Sequence, residues 1–274
     1  MLLAAMVLPL EGEGVPEARH VQGWFYRLIR EADPELHDRK GPRPFTLGVL
    51  PGPAPALRIT FLDGGLHARM SPILWSLVGK EVALGARVFR VRSLLESGHP
   101  WAGLTTYPRL FQGAVTRDYP MQFASPTFFK RKGVHYPLPE PLLVFHSLLR
   151  RFVDFARVPV PDELEEALGR VTFRGYRLRT VPIVHEVRAV GFSGSAVFHL
   201  PQASEREARW LTALWRFSFF AGVGAKTSLG FGRVRPLKVR VVGGGHDGRG
   251  EGEAEASADR DRGEDQGSDR GEHL

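Results

Sequence analysis

Seven apolar residues in a row, Leu2 to Leu8, open the chain and stop at Pro9, a run that predicts a buried strand. After the punctuation of Gly12, Gly14 and Pro16 the period changes. Val21, Trp24, Phe25, Leu28 and Ile29 recur at helical intervals as one apolar stripe, with Arg19, Gln22, Tyr26 and Arg30 on the opposite face. Asp33-Pro34 ends that helix. A loop dense in ionisable groups follows, Glu35, His37, Asp38, Arg39, Lys40 and Arg43, before Phe45 to Leu50 reads as a strand. Leu57 to Leu62 and Leu66 to Met70 flank Asp63-Gly64-Gly65, which reads as a hairpin turn. Pro72 to Val78 then predicts a short helix and Ala86 to Leu95 another strand. The sum is β-α-β-β-α-β, the ferredoxin-like arrangement.

A loop through Trp101, Tyr107, Pro108 and Pro120 leads to a second half. There Pro141 to Phe155 predicts a helix whose stripe is Leu142, Phe145, Leu149, Phe152 and Val153, and Pro161 to Leu168 a shorter one. Val171 to Ile183 and Glu186 to Leu200 read as a long antiparallel pair. Ser204 and Glu207 form a capping box for a helix through Trp210, Leu211, Leu214, Trp215 and Phe217, and Arg233 to Arg240 reads as a last strand. The expected fold class is α+β: tandem ferredoxin-like (RRM-like) βαββαβ domains over 1–117 and 118–242, with a glycine-rich loop near the C-terminal end. From 243 to 274 the composition shifts to Gly, Glu, Asp, Arg, Ser and Ala, as in a disordered acidic tail.

Charge sharpens the picture. The formal net charge is +7, but the tail holds four Arg against ten Asp and Glu, leaving +13 on the remainder. A body this basic suits a polyanionic partner, nucleic acid being the commonest. The chain has no cysteine, which excludes disulfides and thiolate metal sites and fits a reducing cytoplasm. No apolar run reaches spanning length, so no membrane partner is expected. The histidines show no metal-ligand spacing, and no metal or cofactor is called for.

Between the capped helix and the last strand lies Gly222-Val223-Gly224-Ala225-Lys226-Thr227-Ser228-Leu229-Gly230-Phe231-Gly232. Gly222, Gly224, Gly230 and Gly232 allow a tight backbone curl whose N–H groups, with Lys226, Thr227 and Ser228, would make an anion site. A nucleotide P-loop is excluded because Phe220 and Ala225 occupy both glycine positions, and the dinucleotide fingerprint because Thr227 replaces its third glycine. A plain helix–strand connection with Gly222 as C-cap is the alternative.

This loop, with Phe123-Ala124-Ser125-Pro126-Thr127-Phe128-Phe129 and with His37 ahead of Arg43-Pro44-Phe45-Thr46, resembles the CRISPR-associated RAMP superfamily, and within it the endoribonucleases that cut precursor CRISPR RNA at its repeats. The resemblance is piecewise over roughly residues 1 to 240. It implies two ferredoxin-like domains and metal-independent cleavage of repeat RNA, leaving a 5′-hydroxyl and a 2′,3′-cyclic phosphate. Its partner would be CRISPR repeat RNA, with a homodimer and association with a CRISPR effector complex as further expectations. It also implies a catalytic role for His37, a tyrosine from the first helix, for which Tyr26 stands, and a cation after the histidine, for which Lys40 and Arg43 both stand. His20, at the edge of the first stripe, is either packing or a second catalytic group. The basic clusters Lys130-Arg131-Lys132 and Arg150-Arg151 would grip phosphates, as would Arg174, Arg177 and Arg179, which alternate along one strand. The rival reading is a non-catalytic RAMP-type RNA-binding subunit, which would share the glycine loop and the charge but would not need the His37 loop.

Overall fold

The structure is a computed structural model that describes residues 1–38, 40–183 and 189–237. The opening apolar run is β1 (Leu2–Glu11), which continues through Pro9. Then come α1 (Ala18–Ala32), α2 (Pro34–Asp38), β2 (Phe45–Leu50), β3 (Ala56–Phe61) and α3 (Gly64–Trp75). The half closes on β4 (Glu81–Leu84) and β5 (Arg87–Val91). The antiparallel sheet runs β2-β3-β1-β5-β4. A short β6 (Gly103–Thr106) pairs with the first residues of β1, Leu2 facing Thr106, while β5 pairs with its last ones, Leu10 facing Val91.

Three expectations in this half are corrected. Asp63-Gly64-Gly65 is a helix start: Asp63 caps α3 by accepting from the Leu66 N–H at 2.7 Å. Leu66, Met70 and Leu74 then follow at four-residue intervals as its buried face. The strand expected over Ala86 to Leu95 is the shorter β5, and it is the second arm of a hairpin whose first arm, β4, the sequence reading lacks, with Glu81 facing Arg90. The ionisable loop after Pro34 begins as a helical turn, α2, because Asp33 Oδ1 accepts from Leu36 N–H at 3.0 Å and so caps it.

The second half repeats the plan. After α4 (Tyr107–Leu110) come β7 (Asp118–Thr127) and a small hairpin of β8 (Phe129–Arg131) and β9 (Val134–Tyr136). Next are α5 (Pro141–Ala156), α6 (Glu163–Arg170), β10 (Thr172–Ile183), β11 (Ala189–His199), α7 (Glu205–Ala221) and β12 (Val234–Pro236). Its sheet order is β10-β11-β7-β12, the same ferredoxin-like order with each first strand inside. The start of the expected strand at Glu186, the residues of the closing strand beyond Leu237, the tail, and Arg39 lie outside the described residues.

Both faces of β1 are buried, which is why its sequence is a continuous apolar run rather than an alternation. Ala4, Met6, Leu8 and Leu10 join the core under α1 and α3, while Leu3 and Ala5 join the core of the second half. The two halves pack into one compact unit.

Candidate functional site

Because Pro34 and Asp33 turn the chain straight from α1 into α2, His37 comes back beside the polar face of α1. The Tyr26 and His37 rings meet edge to face with centroids 6.0 Å apart, and Tyr26 also packs on Phe45 of β2 at 5.7 Å. The Arg43 guanidinium lies 5.3 Å from the Tyr26 ring centre. It also donates to the carbonyls of Leu36 (2.6 Å) and His37 (3.5 Å), supplying partners to the open end of α2. His37 Nδ1 lies 2.7 Å from Asp38 Oδ1. A carboxylate only accepts, so Nδ1 carries a proton and Nε2 is the nitrogen left to exchange one.

Of the sequence-derived candidates, the structure thus brings Tyr26, His37 and Arg43 together. Lys40 is exposed and makes no hydrogen bond or ion pair among the described residues. His20 is placed elsewhere, with its ring against Gly85 in the β4–β5 turn.

The glycine loop approaches this group from the second half. Gly222 is indeed the C-cap of α7, its N–H donating to Ser218 O. Most of the expected anion-binding N–H groups are used inside the protein. Val223 donates to Gly232 O (2.8 Å), Gly224 to Ser147 Oγ (2.8 Å), Ala225 to Phe128 O (2.8 Å) and Gly232 to Pro126 O (3.0 Å). The loop is therefore bolted to β7 and α5, and the backbone curl is not an open cradle. Besides Phe231, the loop N–H groups that lack partners among the described residues are those of its tip, Lys226, Thr227 and Ser228. These open a single 3-10 turn, Thr227–Leu229.

That tip forms one wall of a cleft of about 580 Å³ shared with Arg43, Lys130, Arg150 and Arg151. Arg131 is turned away onto Glu140 (3.2 Å) and the Tyr136 ring, and Lys132 sits at the β8–β9 turn with φ 49°. Arg151 donates to Thr227 Oγ1 and, at 3.3 Å, to the carbonyl of Arg43. Burial draws its guanidinium down to about 10, against the opposing pull of Tyr107 and Asp154. Its Nε is buried without a hydrogen-bond partner among the described residues.

Sequence reasoning missed His146, Ser147 and Asp154, which also line the cleft. His146, Arg150 and Asp154 stand four residues apart, as do Ser147 and Arg151. A polar stripe at that spacing on an otherwise apolar helix is the signal that could have found them.

A family model described as CRISPR-associated endoribonuclease Cas6 matches residues 121–234, from β7 through the glycine loop to β12. Cas6 (TTHA0078), solved as a product complex, shares 55% identity, with 87% of this chain and 100% of that one covered and a TM-score of 0.84. The structure of its H37A mutant gives 53% identity, the same coverage and a TM-score of 0.82. The CRISPR-associated endoribonuclease Cas6 of Mycobacterium tuberculosis is 35% identical over 144 residues, 50% of this chain and 45% of that protein. The match thus spans about half the length of that curated relative. With a solved relative matched along its whole length at 55% identity, and with tandem ferredoxin-like halves, the chain belongs to the Cas6 family of CRISPR-associated endoribonucleases.

Proposed function

We propose that this protein cuts CRISPR repeat RNA within precursor transcripts, without a metal, leaving a 5′-hydroxyl and a 2′,3′-cyclic phosphate. The observation that carries the reading is the Tyr26–His37–Arg43 group, of which Arg43 also lines a basic cleft. In this chemistry a base removes the proton of the 2′-hydroxyl and the 2′-oxygen bonds to the adjacent phosphorus. The P–O5′ bond then breaks, and the leaving 5′-oxygen takes a proton. His37 Nε2 is the proton-transfer atom. Arg43, fixed over Tyr26, and Lys226 at the loop tip are the cations for the phosphorane charge. Lys130 and Arg150 line the same cleft and hold flanking phosphates. The names of the relatives agree with this reading, one being a product complex and another an H37A mutant.

The test is cleavage of a labelled repeat RNA in EDTA by wild type and His37→Ala. The substitution is expected to lower the single-turnover rate by about 10²–10⁴-fold while binding persists. Tight binding with no cutting by the wild type would favour the RNA-binding scaffold reading. Cutting that survives the substitution would remove His37 from the chemistry and turn attention to Tyr26 and His20.

A further inference from the structure

We infer that Arg151 is a positioning residue that couples the glycine loop to the His37 group, rather than a phosphate contact. This rests on the nuclease reading of that site. A continuous series of hydrogen bonds carries it. The Arg43 side chain donates to the carbonyls of Leu36 and His37. The Arg43 carbonyl accepts from Arg151 Nη2, and Arg151 Nη1 donates to Thr227 Oγ1. Three elements distant in the chain thus meet on one guanidinium: α5, the loop between α2 and β2, and the 3-10 turn of the glycine loop.

The chemistry of the partners supports a strut. A guanidinium is a flat fork that reaches two acceptors at fixed angles, which lysine cannot do. Thr227 is buried, and its backbone N–H is one of the three free donors at the loop tip. Holding its hydroxyl fixes where those donors point. Arg43 is held at both ends, its side chain on α2 and its carbonyl on Arg151. Neither acceptor is a carboxylate, and the charge of Arg151 is offset only at a distance by Asp154, which shares the cleft. A half-buried cation kept for two neutral acceptors has its value in geometry, since charge alone would be cheaper at the surface.

The experiment compares Arg151→Lys, Thr227→Val and the double variant for single-turnover cleavage rate, RNA affinity and the salt dependence of affinity. Misplacing reacting groups by about 1 Å costs on the order of 10²-fold in rate, so each single variant is expected to lose rate with little change in affinity. The double variant should be no slower than the worse single one, because both remove the same link. A lysine variant that restores the rate, or an inert Thr227→Val, would overturn the inference. So would a weakened affinity whose salt slope falls by about 1, the mark of a lost phosphate contact. Amide exchange in Arg151→Met supplies an arm independent of cleavage. The segment with His37 and Arg43 and the segment Lys226–Gly230 should lose protection together while α1 and β7 keep theirs. Loss in neither or only one would sink the coupling. If the wild type does not cut, the nuclease reading fails by itself, and amide exchange alone decides the strut.

Discussion

At Gly232 the backbone runs at φ +66°, and a Cβ there would collide with the carbonyl oxygen of Val223, which is backbone and cannot swing away. At Gly230 φ is +91°, but the nearest atom to a Cβ is 3.8 Å off, an ordinary contact. The two glycines therefore differ in what alanine would do. Gly230→Ala carries only conformational strain, about 1 kcal/mol. Gly232→Ala adds a steric clash and breaks the pairing of Val223 with residue 232, so it is expected to cost more, at least about 3 kcal/mol. Thermal melts of the pair check the order, and equal losses would mean that the loop is softer than its hydrogen bonds imply. Both glycines stand out in the sequence, yet nothing there says which is indispensable. The same divide runs through the candidate site. Tyr26, His37 and Arg43 are singled out by the family resemblance, and because they lie close in sequence one helix and a Pro stop suffice to bring them near one another. The Arg151 contacts span 76 and 108 residues, and a lone sequence gives a basic side chain no distant partner. Arg151 therefore read as one more surface cation.

Helix α7 was predicted from its capping box, and the box is formed: Ser204 Oγ accepts from Glu207 N–H at 3.2 Å, and Glu207 Oε2 accepts from Ser204 N–H at 2.8 Å. Burial by itself would raise the Glu207 carboxyl, but the Ser204 donors and the Arg170 guanidinium hold it below the ordinary glutamate value. A depressed carboxylate stabilises above its unfolded pKa, and the contribution is lost as pH falls through the folded one. Glu207→Gln is thus expected to cost about 1 kcal/mol at pH 7. The gap to wild type should close well below about pH 4.3, where glutamate itself takes up a proton. Denaturant titrations at both pH values measure it, and a pH-independent gap would assign the loss to packing. The contrast with α3 is instructive. Asp-Gly-Gly is as good a hairpin turn as it is a helix entry, and only the buried spacing of Leu66, Met70 and Leu74, broken in the sequence by Pro72, settles the matter. Pairing partners of β4 and β5 are likewise tertiary information, so the short first strand of that hairpin was passed over.

Across the whole molecule, the two halves are joined by the end of α7 meeting the sheet of the first half. A helix leaves its last carbonyls without partners, and here β3 supplies them. Arg58 donates to Phe219 O at 2.6 Å, and Thr60 Oγ1 donates to Phe220 O at 2.7 Å. Arg58 also donates to Trp101 O at 2.9 Å, and its guanidinium carbon lies 5.3 and 4.6 Å from the rings of Trp101 and Phe219, which stack at 6.2 Å. The adjacent Arg233 donates to Val49 O at 2.8 Å, tying the residue after the glycine loop to β2. Burial, with Arg233 beside it, pulls Arg58 down to about 9. Removing it orphans two carbonyls that were bonded to a charged donor, so Arg58→Met is expected to cost about 2–3 kcal/mol at neutral pH. The sign of the pH effect follows from proton counting. Between about 9 and the ordinary arginine value of the unfolded chain, the folded protein binds fewer protons at this site than the unfolded one, and stability rises with pH wherever the unfolded state binds more. The desolvation penalty of Arg58 is therefore fully present below about pH 9 and fades above it. Wild type should gain on Arg58→Met as pH rises, making the variant's deficit larger at pH 10 than at pH 7.5 in matched denaturant titrations. A deficit that narrows instead would mean that the charge itself, and not the fork of hydrogen bonds, holds the halves together.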